Sequence, residues 1–338
     1  MIDIYGIGNP LIDILAQVTD SDIMELGLDK GTMRLIDENE REKLVVFLRS
    51  RSKSYSCGGS CPNTIISLAS FGVSSALAGK VGDDEFGAIY RKQVAELPLV
   101  SELKTGSGPT GSSIILVTPD SERTMNTYLG ANREFGAADV NVGLAEQASF
   151  LYFTGYMWDT DSQKEAILRA LAVAEHNART IAFDVADPFA VNRNRDAFLD
   201  LLKRHVSVAF ANREEARILF NTETALDAVR RLSELCEIAV VKNGAAGSYV
   251  MQGDSLWEIP AGKERPVDTT GAGDMYAAGF LYALIRGFPP LECGMCAAYV
   301  AERIISQRGA QFSGEQRTSV ARAVRDGVWR IPGGQEAR

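Results

Sequence analysis

The 338-residue sequence predicts an α/β fold: a doubly wound, mostly parallel sheet with helices on both faces, plus a small β-sheet lid. Three observations predict it. Short apolar strand-like segments alternate with helical ones along most of the chain, which implies a parallel sheet covered on both faces. No proline-rich or charged linker divides the chain. Between residues 106 and 130 the texture changes to a Gly/Pro/Ser loop followed by a hairpin signal.

Each element follows in order. Residues 2–8 (IDIYGIG) read as a buried first strand, and LIDILAQV as strand-like. PNTIISLASFG, residues 62–72, sets apolar side chains at helical spacing and closes on Gly72. ALAGKVG is a short strand, and DDEFGAIYRKQVAEL a helix with two acids in its first turn, where the helix dipole favours them. GSGPTGSS is a hinge-like loop, and SIILVTPDSERTMNTYL two strands around a Pro-Asp-Ser turn. From residue 149 the alternation is regular: SFLYFTG, SQKEAILRALAVAEHN, TIAFDV, VSVAFAN, REEARILF, ALDAVRRLSELC and EIAVVKN. These read strand, helix, strand, strand, helix, helix, strand. The expectation is one domain over residues 1–338, with a lid drawn from within 9–37 and 110–130. Such sheets place ligands outside the carboxyl ends of their strands.

Composition bounds the partners. With 35 basic against 44 acidic side chains, the net charge of −9 argues against nucleic acid or an anionic membrane surface, where affinity comes from neutralising phosphates. A local basic pocket for a small anion stays open. The N-terminus has no basic stretch and carries Asp3, no apolar run approaches the ~20 residues of a membrane span, and no Asn-x-Ser/Thr acceptor occurs. Together with an odd number of cysteines, this points to a reducing cytoplasm. Cys57 and Cys61, Cys293 and Cys296, and the lone Cys236 do not make a regular zinc array. Cys293 and Cys296 lie in an alanine-rich helical stretch where small thiols pack. His176 and His205 are each isolated.

The most informative segment is Asp268-Thr269-Thr270-Gly271-Ala272-Gly273-Asp274, leading into MYAAGFLYALIRG. A Gly-Ala-Gly run opening a helix presents unpaired N–H groups to an anion, such as nucleotide phosphates. Asp274 would repel a merely bound phosphate. It makes sense as a base taking a proton from an attacking hydroxyl while amides stabilise the moving phosphoryl group. The bland reading, a tight turn with Asp274 capping the helix, needs one small residue rather than seven. In Cys57-Gly58-Gly59-Ser60-Cys61-Pro62-Asn63, paired glycines allow close approach of a ligand, and Asn63 can fork to two hydroxyls. Asn212 and Glu215, three apart, can orient water on Mg²⁺ or form an ordinary cap. Gly6-Ile7-Gly8 only half matches a dinucleotide fingerprint, and there is no Walker A, GxSxG or HExxH motif.

Together these residues resemble the ribokinase-like (PfkB) family of sugar and nucleoside kinases, through DTTGAGD, GGSCPN with GKVGDDEFG, and ANREE. Within it, GNPLIDI, DSERTMNTYLGAN and FTGYMWD look most like bacterial adenosine kinases. The resemblance implies ATP and Mg²⁺ as cofactors, Asp274 as general base, and Gly271, Ala272 and Gly273 as anion hole. It implies Asp13, Gly58, Gly59 and Asn63 on the ribose, Tyr156 stacked on a purine, and Arg123 on the lid near the transferred phosphate. It further implies Asn212 and Glu215 on the Mg²⁺ side, Lys242, Gly244 and Gly247 in the nucleotide-side loop, and Asp268 with Thr270 at a monovalent-cation (K⁺) position. For Tyr156, core packing is the competing reading; for Arg123, a solvated surface side chain is. Three functions follow: a nucleoside kinase acting on adenosine, a fructose- or ribose-type sugar kinase, or a non-catalytic nucleotide-binding protein. Monomer and homodimer stay equally open.

Overall fold

The computed structural model describes residues 2–120 and 122–330. Met1 and the last eight residues of the expected domain, and Ser121 of the expected Pro-Asp-Ser turn, lie outside that range. In chain order the strands are β1 (Ile4–Ile7), β2 (Leu11–Gln17), β3 (Met33–Leu35), β4 (Lys53–Gly58), β5 (Ser75–Val81), β6 (Leu99–Thr105) and β7 (Ser112–Val117). Then come β8 (Arg123–Tyr128), β9 (Phe150–Thr154), β10 (Thr180–Asp184), β11 (Val208–Asn212), β12 (Ile238–Lys242), β13 (Ser248–Gln252) and β14 (Ser255–Ile259).

Nine of them form one sheet in the order β14-β13-β12-β11-β10-β9-β1-β5-β6. Every neighbouring pair from β12 to β6 is parallel, and β13 and β14 close one edge antiparallel. The chain runs outward from β1 to β5 and β6, then resumes on β1's other side at β9. The order reverses there, and a crevice opens at the carboxyl ends of β1 and β9. Both faces are buried: Tyr5, Phe153 and Phe183 pack beneath one layer of helices, Ile4, Tyr152 and Phe210 beneath the other. Helix Ser60–Ser70 lies unusually close to β1. A Cβ at Gly6 or Gly8 would collide with Ile65 or Cys61, so the Gly-x-Gly at the first strand serves helix packing.

The remaining strands form the lid, in the order β3-β8-β7-β2-β4. It reaches beyond residues 9–37 and 110–130 because β4 pairs antiparallel with β2 over the full length of β4, Leu11 facing Gly58 and Ala16 facing Lys53. Other elements the sequence reading left unassigned are local and mostly polar. Helix Pro188–Arg204 is amphipathic, opens on the Asp187 cap and bends at Asn194. The β13–β14 hairpin turns on Gly253-Asp254, a short turn that needs the positive φ of Gly253. Among the described residues no helix is long and apolar enough to cross a membrane.

Candidate active site

The carboxyl ends of β1 and β9–β12, the start of helix Ala272–Ile285 and the underside of the lid enclose a cavity of about 790 Å³. Asp13, Gly59, Asn63, Tyr156, Asn212, Glu215, Lys242, Gly244 and the run Thr270–Asp274 all line it. The fold therefore brings to one place side chains that are up to 261 positions apart, from Asp13 to Asp274. Gly58, Arg123, Gly247 and Asp268 do not line it.

At the floor, Gly271 adopts the left-handed conformation (φ 76°), and a Cβ there would strike Ala310. This lets the chain turn sharply into helix Ala272–Ile285, with Asp274 in its first turn. The Ala272 N–H donates to the Thr269 carbonyl (3.1 Å) and is spent in the turn. Among the described residues, the N–H groups of Gly271, Gly273 and Asp274 have no such acceptor and remain available to an anion. Asp274 accepts from Ser60 Oγ (2.6 Å) and Asn63 Nδ2 (2.8 Å). Burial, with the Asp184 charge, pushes its pKa up to about 6 against the pull of Ser60, Asn63 and Lys242. Its carboxylate is thus fixed in direction and more basic than a solvated aspartate. Asn63 does not stand free to fork to two hydroxyls, because Nδ2 holds Asp274 and Oδ1 accepts from Gln311 (2.8 Å).

Beside the floor, Asp268 accepts from the N–H and hydroxyl of Thr270 (3.0 and 2.7 Å) and from the Gly309 N–H (2.6 Å). Arg123, from lid strand β8, pairs with the same carboxylate at 2.7 Å and donates to Thr270 Oγ1 at 2.9 Å. Its guanidinium bolts lid to floor, so a monovalent cation at Asp268 and Thr270 would have to displace it.

On the lid side of the cavity, Asp13 projects from β2 into the room left by Gly58, where a Cβ would overlap its carboxylate. Gly58 thus acts through Asp13, while Gly59 (φ 98°) carries the chain past the Asn9 carbonyl. Burial and the Asp274 charge push Asp13 up to about 7, opposed by Arg123. Tyr156 follows β9, its carbonyl accepting from Asn9 Nδ2 (3.2 Å). Burial and then Asp187 raise its hydroxyl pKa well above the ordinary value. Met33, Leu35, Leu129 and Phe189 extend this end of the cavity as an apolar wall.

On the opposite side, Asn212 and Glu215 form the reciprocal cap that was the plainer of their two readings. The Asn212 N–H donates to Glu215 Oε2 (2.6 Å), and the Glu215 N–H to Asn212 Oδ1 (2.9 Å). Both nevertheless face the cavity. Burial raises Glu215 to about 7 despite Lys242. Gly247 (φ 86°) is required by the close passage of the Ile259 carbonyl, whereas Gly244 lies at the cavity wall with open space around it.

Sequence reasoning assigned no role to Asn9, Ser60, Asp184 or Gln311. Ser60 lies within GGSCPN and Asp184 ends the apolar strand TIAFDV, an acid where a buried strand reaches the crevice; both were open to view. Gln311 carries no local signal.

A family model described as pfkB family carbohydrate kinase matches residues 28–317. An adenosine kinase from Sinorhizobium meliloti superposes with a TM-score of 0.85 at 37 % identity, over 95 % of this chain and 99 % of its own. A probable sugar kinase from Rhizobium etli does so with a TM-score of 0.86 at 34 % identity, over 95 % and 98 %. By sequence, an adenosine kinase of Dictyostelium discoideum is 27 % identical over 331 residues, 91 % of this chain and 96 % of its own.

Proposed function

The chain belongs to the pfkB family of carbohydrate kinases and is a phosphotransferase, and from that premise we propose that it transfers the terminal phosphoryl group of ATP to the 5′-hydroxyl of a nucleoside, adenosine foremost. The observation that carries the reading is the pairing of a fixed, basic carboxylate with unpaired amides at one end of a cavity whose other end is apolar. A free sugar would occupy the polar part and leave Met33, Leu35, Leu129, Tyr156 and Phe189 unfilled. A purine fills them, and Tyr156 offers a ring to stack on.

In this reading Asp13 accepts from the ribose hydroxyls and sets the 5′-oxygen toward Asp274. Asp274 takes the hydroxyl proton as that oxygen attacks the terminal phosphorus, and its pKa of about 6 leaves it ionised yet basic at neutral pH. The amides of Gly271 and Gly273, at a helix N-terminus, stabilise the charge on the moving group. Arg123 holds the lid closed and keeps water from the reacting atoms.

Glu215, Asn212 and Asp184 supply the hard oxygen donors that suit a hydrated Mg²⁺ beside phosphates, and they would hold its waters. When bound, that ion would neutralise charge on the donor's phosphates. Arg123 already supplies the positive charge at Asp268 and Thr270, so no K⁺ is assigned there. The chain acts as one kinase domain with its lid, in a cytoplasm where ATP is at hand and its five thiols stay free.

The test is product analysis with ATP against adenosine, inosine, guanosine, 5′-deoxyadenosine, ribose and fructose. A 5′-monophosphate from adenosine and none from 5′-deoxyadenosine is expected. Phosphorylation of the free sugars alone would move the assignment to the family's sugar kinases.

A further inference from the structure

Three adjacent parallel strands, β10, β11 and β12, end side by side at the cavity, in Asp184, Asn212 and Lys242. Lys242 Nζ pairs with Asp184 Oδ2 at 2.7 Å, and both side chains are largely buried, 15 % and 5 % exposed. The Asp184 carboxylate is aimed by its own turn. Its Oδ1 accepts from the Ala186 N–H (3.1 Å), and Ala186 holds φ 80°, a conformation that alanine adopts at a cost. Such strain at the mouth of a site marks a residue whose direction matters.

Lys242 is also close to the phosphate floor. A methyl placed on Gly273 would lie 3.4 Å from Nζ, so the ammonium sits beside the free amides of the helix start. A buried lysine with one ion-pair partner and a second open face toward an anion site is poised to exchange partners.

We propose that Lys242 is a catalytic residue of this phosphotransferase: its ammonium, paired with Asp184, donates to the non-bridging oxygens of the migrating phosphoryl group during transfer. Asp184 is its positioning residue. The inference rests on the phosphotransfer reading but not on the identity of the acceptor. The acceptor oxygen forms its bond to the terminal phosphorus and gives its proton to Asp274. The bond from that phosphorus to the β–γ bridging oxygen breaks, and its electron pair leaves with ADP. Lys242 keeps its three protons throughout and stabilises charge without exchanging any.

The test compares Lys242→Met, Lys242→Arg, Asp184→Asn and the paired Lys242→Met/Asp184→Asn variant, using whichever acceptor the wild type phosphorylates. Lys242→Met is expected to lose about a hundredfold or more in kcat, the scale of one lost donor to a transition state, with acceptor KM little changed. It should bind MgADP as the wild type does but lose the added affinity for MgADP with aluminium fluoride, a mimic of the group in flight. Lys242→Arg should restore part of both.

The paired variant removes the buried charge imbalance, so it keeps the fold if the single variant does not, and it should remain slow. Wild-type turnover or wild-type aluminium fluoride binding in the paired variant would overturn the proposal, leaving Lys242 as no more than a counter-ion for Asp184. A wild type that turns over ribose but not adenosine would refute the nucleoside reading and leave this one intact.

Discussion

The two ends of the cavity are built differently. At the floor each charged group is at least partly buried and already held: Asp274 by Ser60 and Asn63, Asp268 by Thr270, Gly309 and Arg123, Lys242 by Asp184. At the acceptor roof the side chains are apolar and open, with Met33, Leu35 and Phe189 47 %, 52 % and 70 % exposed. The floor must stabilise developing charge, and donors fixed before the reaction do so without reorganising. The roof must admit a substrate and then cover it, which favours loose apolar contacts that tighten on closure. In the proposed reading, reaction chemistry is therefore concentrated at the held, polar end, and choice of acceptor at the exposed, apolar one.

The largest expected effect tests the floor. Asp274→Asn should keep the fold and lose about two to four decades of kcat, the range for a general base. In the wild type, kcat/KM should fall about tenfold per pH unit below about 6, as protonation removes the base. A variant turning over near the wild-type rate would show that the floor works without its carboxylate.

Next comes the bolt between the two ends. Arg123→Ala should lower kcat/KM about tenfold to a hundredfold and raise ATP hydrolysis without acceptor, because the lid no longer seals. Arg123→Lys should rescue little, since one ammonium cannot reproduce the fork to Asp268 and Thr270. Unchanged uncoupled hydrolysis would separate the bolt from lid closure.

A smaller effect belongs to the roof. Tyr156→Ala should raise the acceptor KM about tenfold, the scale of one lost stacking partner, and leave kcat nearly as it was. A loss confined to kcat would place Tyr156 with the floor instead.

The smallest effect is on stability. Asp13 is raised from 3.8 to about 7 in the folded protein, chiefly by burial, so the folded state binds that proton more tightly than the unfolded one. Its stabilising contribution is complete below about 3.8 and is lost as pH rises through about 7. Asp13→Asn cannot ionise, so its melting temperature relative to wild type should climb by a few degrees between about pH 4 and pH 8. A difference flat with pH would contradict the burial of that charge.

Legibility in the sequence follows the same division. The Asp268–Asp274 run is contiguous because one turn into one helix carries both the free amides and the Asp274 carboxylate, so a single segment exposes it. The parallel sheet was legible because its strands are apolar and regularly spaced. Strand β4 was not, since KSYSCG is half exposed and gains its identity by pairing with β2. Asp184 and Ser60 carry a local signal and Gln311 none, but the partner of each lies far along the chain: Lys242, Asp274 and Asn63. Spacing also could not show that Arg123 would meet Asp268, 145 residues on, nor that Ala272 would spend its amide in the turn.

The ratio of kcat/KM for adenosine to that for ribose at saturating ATP separates the two ends of the cavity most cleanly. Because the two share the hydroxyls that meet the floor and differ in the base that meets the roof, the ratio reads the apolar end alone. A preference for adenosine of about a hundredfold or more is expected, the worth of a stacked and buried base. Equal values, or a preference for ribose, would contradict it.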